Sequence, residues 1–146
     1  MRDETPVSTM DAELKALLAN LDKLTPAQKA IVLADLEKRD ALFEKQQARD
    51  TFMGFVNRVW PDFIGGRHHK IMAEAFERVA KGECKRLIIN MPPRHTKSEF
   101  ASYLLPAWFL GKFPNKKVIQ TSHTAELAVG FGRKVRNLVD TETYHD

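Results

Sequence analysis

The stretch MPPRHTKS, residues 91–98, gathers the side chains best suited to hold phosphate. A lysine followed by a hydroxyl residue at a helix start can set an ammonium on the β- and γ-phosphates of a nucleotide. The hydroxyl can then ligate the Mg²⁺ that those phosphates carry. Lys97 and Ser98 form such a pair. The first amides of the following helix lack internal acceptors and sit at its positive end, so phosphate oxygens suit them. Arg94 and His95 add donors, and a guanidinium at 94 can stabilise charge developing in phosphoryl transfer. Against the pattern G-x-x-x-x-G-K-[ST], however, the two glycine positions hold Met91 and Thr96. Glycine is required only where φ is positive or where a side chain would block the approach. Pro92 and Pro93 give no amide but stiffen the loop. The alternative reading of the same residues is an exposed basic turn ahead of a capped helix.

Such a loop needs a strand before it and a helix after it. RLIIN (86–90) has the length and apolar character of a strand, and KKVIQTS (116–122) is a second such run. Between them a helix from about Lys97 carries Phe100, Tyr103, Leu104, Ala107 and Trp108 on one face, with a kink expected at Pro106. Strand, helix and strand within roughly 35 residues predict a βαβ unit with parallel strands and a right-handed crossover. Two parallel strands make a poor sheet, so the expectation is an α/β sheet truncated after its first strands, continuing beyond Asp146.

The upstream elements are read from periodicity and caps. Leu14, Leu17, Leu18 and Leu21 suggest a short amphipathic helix from Asp11 to about Leu24. In TPAQ, Thr25 caps the next helix, Pro26 takes its first position and Gln28 completes a capping box. That helix is charged and thinly apolar, which predicts a solvent-facing arm, so residues 1–50 are an N-terminal helical arm and 51–146 the compact domain. Phe52, Phe55, Val56 and Val59 mark a helix stopped by Pro61, and Ile71, Met72, Ala75, Phe76 and Val79 mark another, closed by Gly82. Thr124 caps a last helix, with Ala128, Phe131, Val135 and Leu138 on its buried side.

Composition narrows the setting. The net charge of +4 is uneven: residues 1–50 hold 8 Lys/Arg against 10 Asp/Glu, leaving +6 on the remainder, a balance suited to phosphates of nucleotide or nucleic acid. The lone cysteine, Cys84, gives no disulfide framework, and the five histidines show no metal-ligand spacing, so no zinc is expected. No run approaches the roughly 18 apolar residues of a membrane span, and the N-terminus has no apolar signal core, so a cytoplasmic protein is expected.

The string KRLIINMPPRHTKSEFASYLLPAWFLGKFPNKKVIQTSHTAELAVGFGRKVRNLV resembles the ATPase domain of the terminase large subunit of tailed bacteriophages, the motor that packages DNA into capsids. The resemblance covers roughly residues 50–146, and MPPRHTKS and VIQTSHTAELAVGFGRKVRNL carry it. It implies a P-loop NTPase of the RecA/ASCE kind, binding ATP and Mg²⁺. Lys97 and Ser98 would match the Walker A lysine and the Mg²⁺-binding hydroxyl, within a loop of Pro93, Arg94, His95 and Thr96. Arg94 would match a loop arginine that senses or stabilises the γ-phosphate in some members, whereas in others an arginine of a neighbouring subunit takes that role. His68 or His69 stands where the family contacts adenine, the alternative being a polar residue at a helix start. One or more of Arg133, Lys134 and Arg136 would face DNA or an adjacent subunit's ATP, the alternative being a plain basic helix face.

The implied partners are double-stranded DNA, a small terminase subunit, a portal and procapsid, and further copies in a ring in the host cytoplasm. The family's Walker B carboxylates and its nuclease domain have no counterpart in these residues, so ATP turnover by this chain alone is not expected. A helicase-like P-loop ATPase and a non-catalytic interaction module remain as alternatives.

Overall fold

The computed structural model describes residues 24–145, and the predicted helix over 11–24 lies almost wholly outside them. The chain divides into two compact units, with the boundary between Leu42 and Phe43. Helix α1 (Pro26–Asp50) begins with the box written in TPAQ. The Gln28 amide donates to Thr25 Oγ1 at 3.4 Å, and the Thr25 amide donates to Gln28 Oε1 at 3.0 Å. In the first unit Ile31 and Leu33 are exposed, consistent with a helix that lacks an apolar stripe.

The second unit holds α2 (Phe52–Val59), α3 (Arg67–Ala80), a π-helical segment (Glu99–Leu104) running into α4 (Leu105–Lys112), then α5 (Ala125–Val139) and α6 (Glu142–His145). Its core is aromatic. Phe52, fully buried, meets Phe76, Phe100 and Trp108 edge-on at centroid distances of 5.2, 5.4 and 5.7 Å. Val56, Met72, Ala73, Leu104, Ala107 and Leu138 close around this centre. Two hydrogen bonds start α2: Thr51 Oγ1 accepts from the Gly54 amide, and Glu77 of α3 accepts from the Phe52 amide at 2.9 Å.

The structure overturns the expected parallel sheet. Among the described residues there is no strand, and residues 86–90 and 116–122 run without regular structure and without a backbone hydrogen bond between them. Ile88 and Ile119 are 86% and 89% exposed. An apolar run becomes a strand only when a neighbour supplies the ladder, and neither segment lies against one. The α/β P-loop reading of the fold, with its crossover, is therefore replaced by an all-helical arrangement of the described residues.

Two further departures have local causes. The buried face of α3 is His69, Met72, Ala73 and Phe76, and Ile71 is exposed; the stripe is rotated because a histidine occupies one of its core positions. At Pro106 the helix changes type. Proline brings no N–H and its ring crowds the carbonyl four residues back, that of Ser102. The chain answers with the π-segment, in which the Leu105 amide reaches Phe100 O, and the Gln120 side chain donates to Ser102 O in place of the missing amide.

Candidate functional site

Residues 91–98 form a tight loop that ends in the first helical turn, where the Phe100 amide donates to Thr96 O at 2.9 Å. Its backbone is left-handed at two non-glycine positions, Arg94 with φ 65° and Thr96 with φ 53°. Each costs roughly 1–2 kcal/mol, and a β-branched residue in this region is an outlier that other contacts must hold. Left-handed residues are one of the backbone elements from which anion-binding nests are built, and Arg94 and Thr96 supply them on either side of His95. The first helical amides, of Lys97 and Ser98, add donors without intrahelical acceptors.

The loop is closed across its mouth. Lys97 Nζ donates to Met91 O at 3.2 Å, joining the two ends, and His95 Nδ1 donates to Pro93 O at 3.0 Å inside it. Lys97 is half-buried, whereas the Arg94 and Ser98 side chains are exposed. The Lys97 ammonium therefore rests on a neutral carbonyl, which an anion can outcompete, because hydrogen bonds between ionised partners are roughly twice as strong.

Helix α3 reaches the same place from below. Its cap, Gly66, gives its amide to His69 Nδ1 at 2.9 Å, and His69 Nε2 lies 2.6 Å from Thr96 Oγ1. Because Nδ1 accepts, Nε2 carries the proton and donates to Thr96, whose hydroxyl donates onward to His95 O at 2.8 Å. His69 is buried between the rings of Phe63 and Phe100, at 4.8 and 5.0 Å. Burial, and then the nearby imidazoles of His68 and His95, push its pKa below the ordinary value, so the ring is held neutral. His68 stacks against it at 3.8 Å and approaches His95 at 5.7 Å.

Nothing in the known families, characterised proteins or solved structures matches this chain.

The structure thus brings His68 and His69, one or other of which the resemblance implied as an adenine contact, against the loop of Pro93 to Ser98. Both His69 ring nitrogens are engaged within the protein. The basic residues of α5 have different surroundings. Lys134 Nζ sits 2.8 Å from Glu99 Oε1 and lies over the rings of Tyr103 and Phe131, which ties α5 to the helix leaving the loop. Arg136 contacts the Asn137 side chain, and Arg133 borders a shallow hollow of about 570 Å³ with His123, Leu127 and Phe131. Glu99 and the His69–Thr96 link were missed in the sequence. The spacing of His69 to Met72, Ala73 and Phe76, an i, i+3, i+4, i+7 series, was the available signal for its burial.

Among the described residues no three His, Cys, Asp or Glu side chains converge as a metal cage. A donor set of one hydroxyl at Ser98 fits Mg²⁺ only as the companion of bound phosphates, the usual way this ion is held. No helix of the described residues is long and apolar enough to cross a membrane.

Proposed function

We propose that residues 91–98 grip the triphosphate of ATP, and that the chain contributes this site to a viral DNA-packaging terminase large subunit. The observation that carries the reading is the closed loop: left-handed Arg94 and Thr96, then Lys97 folded back onto Met91 O, with Ser98 exposed beside it. Lys97 exchanges the carbonyl for the β- and γ-phosphates, Ser98 ligates the Mg²⁺ they carry, and Arg94 takes the γ-phosphate. The reading rests on this loop and on the motif resemblance, not on a sheet.

Within that reading Arg133 and Arg136 serve double-stranded DNA, while Lys134 links their helix to the loop through Glu99. Small terminase subunit, portal, procapsid, further copies in a ring and the host cytoplasm complete the setting the resemblance implies. One observation favours a second reading, a non-catalytic interaction module: Leu87, Ile88, Val118 and Ile119 are exposed apolar residues on segments without regular structure. Calorimetric titration of Mg·ATP into the chain and into Lys97→Ala separates the two.

A further inference from the structure

We propose that His69 is the positioning residue of this loop, holding Thr96 in the left-handed backbone that glycine would otherwise supply. The inference rests on the reading of residues 91–98 as a phosphate loop and adds the means by which a threonine can stand in it.

Thr96 occupies the position where the common loop pattern has glycine, and its φ of 53° is one that a β-branched residue leaves unless it is held. Two bonds hold it. Its hydroxyl accepts from His69 Nε2–H and donates to His95 O, so the side chain is locked between a buried ring and the preceding carbonyl. His69 is itself fixed, since Gly66 donates to Nδ1 and the rings of Phe63 and Phe100 confine it. The orientation of one neutral imidazole is thereby passed to the loop backbone and to the amides that follow at Lys97 and Ser98. The arrangement also assigns His69 a task other than reading adenine, because neither ring nitrogen is left over.

The test uses the full chain and two readouts. By NMR, a strong intraresidue Hα–HN cross-peak marks left-handed backbone at residue 96, and ring nitrogen shifts report the His69 tautomer. The unsubstituted chain is expected to show that cross-peak and a proton on Nε2. Thr96→Val, which keeps the shape but removes the hydroxyl on a half-buried loop residue, and His69→Ala are both expected to lose the cross-peak. Its persistence in Thr96→Val, or a proton on His69 Nδ1, overturns the proposal, whether or not His69→Ala folds.

The second readout is Mg·ATP affinity. Thr96→Val and His69→Ala are expected to weaken it roughly tenfold. Thr96→Gly needs no clamp, so in that background His69→Ala should cost little further affinity, and the double variant should bind more tightly than His69→Ala alone. A double variant as weak as His69→Ala alone contradicts a positioning role. If the unsubstituted chain takes up no Mg·ATP, the phosphate reading falls, and the residue 96 cross-peak still decides whether His69 sets the loop.

Discussion

The Gln120 side chain donates to the carbonyl of Ser102, four residues before Pro106, which brings no amide of its own. This bond seals the one irregular turn of the helix that leaves the loop. Gln120→Ala should therefore remove the side-chain donor of a half-buried carbonyl and lower the unfolding free energy by about 1 kcal/mol. Urea denaturation in the Pro106→Ala background checks the cause. With an amide restored at 106, the same Gln120→Ala change should cost little, and equal costs in both backgrounds would refute the link.

The start of α2 depends on a residue 25 positions away, for Glu77 Oε1 accepts from the Phe52 amide at 2.9 Å. That bond places an acceptor at the positive end of a helix whose first residue is the centre of the core. Glu77→Ala should cost about 1.5–3 kcal/mol, the range for a bond to an ionised group, and Glu77→Gln about half of that. Thermal melts of the three proteins measure it.

Acid should loosen the molecule through His69. Its folded pKa lies below the ordinary 6.5, mainly from burial and further from His68 and His95. Between those two values the unfolded chain binds more protons than the folded one, so stability falls as pH drops below about 6.5. The loss levels off once pH passes the folded value, where both states are protonated. In His69→Asn this part of the slope should disappear from denaturation midpoints measured between pH 7.5 and 5.

On α5 the roles should separate by residue. Arg133→Glu with Arg136→Glu is expected to weaken double-stranded DNA binding and to reduce its salt slope by about two, one for each phosphate that is no longer neutralised. Lys134→Ala acts through the exposed pair with Glu99 and should cost no more than about 1 kcal/mol of stability. Fluorescence anisotropy across a salt series reads the first effect. Unchanged affinity in the Arg133/Arg136 variant would remove DNA from the account of this helix.

Much of the helical framework was legible because its signals are local. Thr25 with Gln28 and Thr124 ahead of Ala125 mark helix starts by side chains that bond within three residues. Phe52, Phe55 and Val56 declare a buried face by spacing alone. The sheet was misread because Leu87 to Ile89 and Val118 to Ile119 have the composition of strands, whereas pairing is a property of neighbours that composition does not encode. At the site, the Lys97–Ser98 pair is written in the sequence itself. The support beneath them is not, since it joins His69 to Thr96 across 27 residues and a histidine in a core stripe is counted as polar.

The measurement closest to the central claim is calorimetric titration of Mg·ATP into the full chain and into Lys97→Ala, at neutral pH where His69 is neutral. The account predicts saturable binding by the unsubstituted chain. Loss of the Lys97 ammonium should weaken it about 30-fold, as expected for one charge-assisted bond to phosphate. Equal heats from the two proteins, or none from either, would contradict it.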